Sequence, residues 1–316
     1  MKILANDGID AIGKKILEEA GFTVDTNNIP QDQLKDKLND YDAITVRSAT
    51  KIRKELIDAC PNIKLIGRGG VGMDNIDVDY ARSKGIAVVN TPAASSLSVA
   101  ELVFAHFFSG IRFLQDANRE MPTKGDTAFN DLKKSYAKGV ELRGKTLGIL
   151  GFGRIGREAA KIAYGLGMNV MAYDLFDFNA ETEITFADNQ SIKFKVQVAS
   201  KEEVLKNADF ITLHVPAVDG KPVIGAEELA IMKKGSALVN CARGGVVDEQ
   251  ALIASLDAGH LAFAGLDVFD NEPQPQRAIL SHAKISLSPH IGAATNEAQE
   301  RIGVELAHRI IEELKK

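Results

Sequence analysis

Three side chains in the second half of the chain combine a cation, a carboxylate and an imidazole: Arg243, Glu272 and His290. Each follows an apolar run that reads as a strand: Leu238 to Ala242, Leu266 to Asn271 and Leu287 to Pro289. An imidazole so placed can take a hydroxyl proton as hydride leaves a secondary alcohol, and return it in the reduction. A carboxylate against the ring favours its charged form and fixes its orientation. A guanidinium can clamp a carboxylate through two hydrogen bonds and polarise a carbonyl. A lone histidine after a strand is ordinarily structural. Three complementary groups at adjacent strand ends suit reversible hydride transfer instead.

Hydride transfer needs a carrier, and the stretch Gly144 to Asp174 fits one. The run Thr146–Leu150 reads as a buried strand, followed by G-x-G-x-x-G at Gly151, Gly153 and Gly156. A helical pattern then carries Ile155, Ala159, Ile162, Ala163 and Leu166 on one face, and Asn169–Tyr173 reads as a second strand ending in Asp174. In such a βαβ unit Gly151 allows the tight turn, Gly153 admits a pyrophosphate, and Gly156 lets helix and strand pack closely. The helix N-terminus faces the phosphates. Asp174 lies about 20 residues past the third glycine, where a carboxylate accepts ribose hydroxyls and repels a 2′-phosphate. NAD is therefore the expected cofactor.

A second candidate site lies earlier. Two predicted strands, Ala43–Val46 and Asn62–Ile66, end at Arg47-Ser48-Ala49-Thr50 and at Gly67-Arg68-Gly69-Gly70-Val71-Gly72-Met73-Asp74. The glycine-rich segment can crowd backbone N–H groups around an anion as a nest from Gly69 to Gly72, and Arg47 and Arg68 add charge beside it.

The elements that must position these groups alternate β and α from residue 1 onward. Strands are expected at Lys2–Ala5 and Phe22–Val24 and helices at Ile9–Ala20, Gln31–Leu38, Lys51–Ala59 and Val78–Lys84. That pattern predicts an α/β protein with doubly wound parallel sheets. Ser95 to Phe113 reads as a long apolar helix. The Lys-rich stretch to Arg143, with Met121-Pro122 and Gly125 as breakers, reads as a crossover and an arm for self-association, giving a homodimer or larger homo-oligomer. A hairpin is expected over Ile184–Val196, a strand over Phe210–Pro216, and a terminal helix over Glu297–Lys316 that returns to the first domain.

Composition narrows the class. Among 316 residues, 45% are hydrophobic and 26% charged, with a net charge of −5. That balance is globular and argues against nucleic acid or an anionic membrane as partner. Two cysteines, Cys60 and Cys241, suit a reducing cytoplasm. The N-terminus does not read as a secretory signal, the longest apolar stretch is interrupted by Ser98, Glu101 and His106, and no metal site is expected.

The motifs Leu150–Gly156, Asn240–Glu249, Leu266–Phe269 with Glu272-Pro273, and Ser288–Ala293 resemble those of the D-isomer-specific 2-hydroxyacid dehydrogenases, over nearly the whole chain. Within that family, Val46–Thr50 and Gly67–Asp77 most resemble the phosphoglycerate dehydrogenases. The resemblance implies that Arg243, Glu272 and His290 are the catalytic arginine, glutamate and proton-exchanging histidine. It implies cofactor contacts at Gly151, Gly153, Arg154, Ile155, Gly156 and Asp174, and at His214, Val215 and Pro216. Others fall at Cys241, Ala242, Arg243, Asp267, His290, Gly292 and Ala293. Substrate contacts fall at Arg47, Arg68, Gly70, Val71 and Gly72, with the two arginines near a phosphate. A Rossmann NAD domain, residues 96–293, would be inserted in a flavodoxin-like substrate domain formed by residues 1–95 and 294–316.

The activity so implied is interconversion of D-3-phosphoglycerate and 3-phosphohydroxypyruvate, a small-molecule reaction that opens serine biosynthesis. A glyoxylate or hydroxypyruvate reductase would use the same machinery on a smaller, uncharged substrate. Arg47 and Arg68 weigh against it, because phosphate uses two guanidinium groups better than a hydroxymethyl does. An NAD-sensing scaffold like the corepressors built on this fold is a further alternative. Three departures from the family pattern stand out. Val215 occupies a position often held by threonine, and the 184–196 hairpin is longer than usual. The serine-sensing domain into which many phosphoglycerate dehydrogenases continue is expected to be lacking.

Overall fold

A computed structural model describes residues 1–217 and 221–315. The chain divides into two compact units, Met1–Ser98 with Ala293–Lys316, and Val99–Gly292. Both are built on parallel sheets, as the alternation of elements predicts.

In the first unit, strands β1 (Lys2–Ala5), β2 (Thr23–Asp25), β3 (Ala43–Val46), β4 (Leu65–Arg68) and β5 (Ala87–Asn90) form a sheet ordered β2-β1-β3-β4-β5. This is the flavodoxin-like order, whose ligand crevice lies beyond the carboxyl strand ends. Strand β3 is buried throughout, and such strands read as unbroken apolar runs because helices cover both faces. The helix Ala11–Glu19 starts where the Asp10 carboxylate accepts the Ile12 N–H at 2.9 Å. It packs against the last helix, Asn296–Leu314, closely enough that a Cβ on Gly13 would lie 2.5 Å from the Gly303 carbonyl oxygen. Leu306, Ala307 and Ile310 of that last helix share a core with Ile3, Ala5, Leu17 and Leu65. The hydroxyls of Ser98 and Thr295, 2.9 Å apart, tie the two segments of this unit together.

Two local expectations need correction here. Of the helix expected over Gln31–Leu38, only Leu34–Lys37 is α-helical, followed by a 3-10 turn at Leu38–Asp40. Its Gln33 cap makes no side-chain hydrogen bond, and one turn cannot repay helix nucleation. Strand β4 starts at Leu65 and runs through Arg68, because it pairs with both neighbours: Arg68 lies opposite Val46 on β3 and Asn90 on β5. Arg68 therefore ends the strand rather than beginning the loop.

In the second unit the strands are β6 (Thr146–Leu150), β7 (Asn169–Tyr173), β8 (Glu181–Thr185), β9 (Ser191–Lys195), β10 (Gln197–Val198), β11 (Phe210–Leu213), β12 (Ala237–Asn240), β13 (Phe263–Leu266) and β14 (Ile285–Leu287). Seven of them form a parallel sheet ordered β10-β7-β6-β11-β12-β13-β14. This is the dinucleotide-binding order with β14 appended, and the winding reverses between β6 and β11. The helix Ser96–Ile111 lends Val99, Val103, Phe104 and Phe107 to one core, with Phe107 edge-on to Phe210 at 5.2 Å.

Strands β8 and β9 form the expected hairpin, shifted to begin at Glu181. It is held to the helix Arg154–Gly165 by Tyr164 stacked on Phe194 at 4.6 Å. The two-residue strand β10 and the helix Arg277–Ser281 carry too little sequence to show a period, and neither was expected. In the arm, helices Leu114–Lys124 and Phe129–Ser135 replace an irregular stretch. Pro122 does not end the first of them: the helix runs on to Lys124 and closes with the Gly125 N–H on the Met121 carbonyl. The interruption comes instead at Phe113, whose φ is +54°. Among the described residues, no single helix is long and apolar enough to cross a membrane.

Candidate active site

The glycines after β6 each meet a different constraint. Gly151 has φ +95°, and a Cβ there would lie 2.5 Å from the carbonyl oxygen of His214. A Cβ on Gly156 would lie 2.3 Å from the Gly151 carbonyl oxygen, so helix and turn touch backbone to backbone. Gly153 is the opposite case, with nothing within 4 Å of its Cβ position. It caps the helix Arg154–Gly165 without a side-chain hydrogen bond, so the first N–H groups, at exposed Arg154 and half-buried Ile155, face that open space. Asp174, directly after β7, accepts the Phe152 N–H at 2.7 Å on one oxygen and the Phe176 N–H at 3.2 Å on the other. A carboxylate is thus held beside an uncapped helix end, and these residues fit a dinucleotide.

Strand β11 stops at Leu213, short of the expected Pro216, although the His214 N–H still bonds the Leu150 carbonyl at 2.8 Å. Its Nε2 lies 3.1 Å from the Thr212 hydroxyl, and its buried Nδ1 has no partner among the described residues. Val215 approaches the Gly151 turn, with its Cγ1 3.0 Å from the Cβ position there, and Pro216 is exposed. Burial pushes the His214 pKa from 6.5 down to about 3.

That shift has a sign. Between those values the unfolded chain binds a proton at His214 and the folded chain does not, so stability is complete above 6.5 and falls as pH drops toward 3. The slope for one such proton is roughly 1.4 kcal/mol per pH unit. Thermal unfolding of the unliganded protein, followed between neutral and mildly acid pH, should show a Tm that falls less steeply for His214→Asn than for the unmodified chain. Parallel slopes would remove His214 from this role.

The three strand ends beyond β12, β13 and β14 brace one another. Asn240 holds the first loop, accepting the Ala242 N–H at 3.0 Å and donating to the Arg243 carbonyl at 2.9 Å. The half-buried Arg243 guanidinium donates to the Ala242 carbonyl at 2.6 Å. Cys241 is buried, and its thiol is pushed well above the ordinary range by that burial and by the charge of Asp267. A Cβ on Gly244 would lie 2.0 Å from the Phe269 carbonyl oxygen, so the loops after β12 and β13 meet. Asp270 accepts the Gly245 N–H at 2.5 Å, and its own N–H bonds Glu249 at 2.9 Å. Burial pushes the Glu249 carboxyl above its usual range.

Glu272 is held at both oxygens. One accepts the Phe269 N–H at 2.9 Å and the other lies 2.8 Å from His290 Nδ1. Nδ1 therefore carries a proton toward the carboxylate, and Nε2 is left facing outward on a side chain 45% exposed. His290 has φ +56°, held by its N–H on the Asp267 carbonyl at 2.8 Å. The buried Asp267 carboxylate accepts the Ser288 hydroxyl at 2.6 Å and the Ile291 and Gly292 N–H groups at 2.8 Å each. Ala293 follows, half-buried. Asn240, Glu249, Asp270 and Ser288 were not singled out in the sequence. Their motifs were visible, but which loops they join depends on strand order.

In the first unit, Arg47 and Arg68 emerge from adjacent strands at one sheet edge. Asp7 fixes the first loop, its carboxylate accepting the Arg47 N–H at 2.6 Å, the Thr50 N–H at 3.1 Å and the Thr50 hydroxyl at 2.5 Å. Asn75 donates to the Arg47 and Thr50 carbonyls at 2.7 and 2.6 Å. Neither brace was expected from sequence. The Arg68 guanidinium lies over Gly70, where a Cβ would stand 1.4 Å from Nη1, and Gly70 has φ +144°. The nest is smaller than expected. The Gly69 N–H is bonded to the Val46 carbonyl at 2.9 Å, while the N–H groups of Gly70, Val71 and Gly72 have no hydrogen-bond partner among the described residues. A cavity of about 300 Å³ beside the Arg47 loop is lined by Asp7, Arg47 and Gly69 and, from the last helix, by Gln299 and Ile302.

Residues 104–292 match the family model of the D-isomer specific 2-hydroxyacid dehydrogenase NAD binding domain. The chain is 40% identical over 311 residues to D-3-phosphoglycerate dehydrogenase of Methanocaldococcus jannaschii, covering 98% of this chain and 57% of that protein. It is 39% identical over 318 residues to hydroxypyruvate reductase of Thermotoga maritima, covering 99% and 98% respectively. It thus spans just over half the length of the curated phosphoglycerate dehydrogenases it matches, and nearly all of the reductase. Among solved structures it resembles D-lactate dehydrogenase from Aquifex aeolicus complexed with NAD and lactic acid, with a TM-score of 0.78 and 28% identity, covering 100% of this chain and 96% of that one.

Proposed function

The chain belongs to the D-isomer-specific 2-hydroxyacid dehydrogenases, and from that premise we propose that it interconverts D-3-phosphoglycerate and 3-phosphohydroxypyruvate with NAD. The observation that carries the phosphate is the pair Arg47 and Arg68 on neighbouring strand ends, with the amides of Gly70, Val71 and Gly72 open beside them. A hydroxypyruvate reductase is the second reading, favoured by the near end-to-end match to the Thermotoga protein.

The cofactor, when bound, supplies or accepts the hydride. The amides of Arg154 and Ile155 hold its pyrophosphate at the helix end, and Asp174 accepts its ribose hydroxyls. His290 takes the substrate hydroxyl proton at Nε2 in oxidation and returns it in reduction. Glu272 keeps the ring oriented through Nδ1 and faces the charge that forms on it. Arg243 binds the substrate carboxylate and polarises the carbonyl. Asp270 and Glu249 keep the Arg243 and Glu272 loops together.

Substrate identity is tested by assaying Arg47→Ala and Arg68→Ala with phosphohydroxypyruvate and with hydroxypyruvate. A charge-assisted contact contributes about 1.5–3 kcal/mol, so each variant should lose roughly ten- to a hundred-fold in kcat/KM on the phosphorylated substrate and little on the other. Parallel losses on both would remove the phosphate assignment and leave the reductase.

Asp174→Ala should erode a strong preference of the unmodified enzyme for NADH over NADPH, since the variant no longer repels a 2′-phosphate. Equal kcat/KM for the two cofactors before mutation would overturn that role. Self-association through the arm is supported by exposed Leu114, Met121, Phe129 and Val140 and is read by light scattering after size exclusion. A reducing cytoplasm accords with two free, buried cysteines.

A further inference from the structure

Behind the loop that carries His290, the helix Ser96–Ile111 contributes a buried histidine, His106, that the reaction itself does not use. Both of its ring nitrogens are bonded. Nδ1 lies 2.9 Å from the Ser286 hydroxyl and Nε2 3.0 Å from the Ser288 hydroxyl. The Ser288 oxygen lies 2.6 Å from Asp267 Oδ1. The ring is packed directly on β13, where a Cβ on Gly265 would lie 2.6 Å from the His106 Cβ, so only glycine leaves room for it.

The direction of this chain of hydrogen bonds follows from what each group can do. An ionised carboxylate only accepts, so Ser288 gives its hydroxyl proton to Asp267. The Ser288 oxygen can then only accept from the ring, which places the imidazole proton on Nε2. Nδ1 is left as a lone pair and accepts from Ser286. A neutral ring is required, and burial does hold the His106 pKa below its ordinary value.

We propose that His106 is a positioning residue for the proton-transfer loop. Its Nε2–H locks Ser288, Ser288 locks the Asp267 carboxylate, and that carboxylate fixes the Ile291 and Gly292 amides while the Asp267 carbonyl holds the His290 N–H. The left-handed backbone of His290 is then kept in the one orientation that sets its ring against Glu272. This assignment rests on His290 being the proton-exchanging group.

The test uses the full chain carrying His106→Leu, His106→Gln, Ser288→Ala and the double change His106→Leu with Ser288→Ala. Leucine fills the space and donates nothing. Glutamine presents an N–H near Nε2 and a carbonyl for Ser286. Expected for His106→Leu is a kcat lower by roughly three- to tenfold, the effect of one neutral hydrogen bond. His106→Gln should recover most of the rate, and the double variant should lose no more than the worse single one. Hydrogen exchange of the Ile291 and Gly292 amides should quicken in His106→Leu and return toward normal in His106→Gln. An unchanged kcat and exchange rate in folded His106→Leu overturns the proposal, as does a glutamine variant as impaired as the leucine one. Should the leucine variant fail to fold, Ser288→Ala against His106→Gln gives the same comparison. If the unmodified protein reduces no 2-keto acid, the functional reading fails, while the exchange measurement still decides whether His106 anchors the loop.

Discussion

His290→Ala should lower kcat by roughly 10²- to 10⁴-fold, the usual contribution of a positioned general acid–base, while NADH binding changes little. The split follows from where the ring sits. Its Nδ1 is engaged by Glu272 at 2.8 Å, and the outward Nε2 is the atom left to exchange a proton with substrate. The cofactor contacts proposed for Gly153, Arg154 and Asp174 lie on other strand ends of the sheet, after β6 and β7, and the Asp174 carboxylate keeps its bond to the Phe152 N–H when the imidazole is removed. Single-turnover reduction and fluorescence titration of NADH separate the two quantities. A variant that retains more than about a tenth of the rate would mean that water or another group carries the proton, and the assignment of His290 would be withdrawn.

Arg243→Ala should cost about as much, but distributed differently. Two charge-assisted hydrogen bonds to a carboxylate, at about 1.5–3 kcal/mol each, correspond to a loss of roughly 10²- to 10⁴-fold in kcat/KM. The loss should fall on both kcat and KM for the 2-keto acid, because the guanidinium is proposed both to bind the carboxylate and to polarise the carbonyl. Arg243→Lys should recover little, since an ammonium keeps the charge and loses the planar fork. The loop that presents Arg243 is braced by more than that side chain, since Asn240 holds it through the Ala242 N–H and the Arg243 carbonyl. Full activity of Arg243→Lys, or an effect confined to NADH binding, would contradict the role.

The sequence alone determined the parts whose cause is local. Strands β6 and β7 run over the residues their apolar runs predicted, because periodicity and bounding glycines are written in consecutive residues. The G-x-G-x-x-G motif also named its own constraints: the positive φ of Gly151 and the tight packing of Gly156 follow from a strand turning into a helix. Arg243, Glu272 and His290 could be picked out as candidates for the same reason, each standing just after an apolar run. What only the tertiary structure decided is how those strand ends are held. Asp267 reaches Ser288, Ile291 and Gly292 only because β13 and β14 are neighbours in the sheet. The Gly69 amide leaves the nest because β4 pairs with β3 up to Val46, and His106 meets Ser286 and Ser288 across a distance no local pattern records. Hydrogen bonds of this kind join residues far apart in the chain, and their partners are set by strand order and register. A short strand such as β10 is likewise stabilised by the neighbour it pairs with, so its own two residues hold no signal of it.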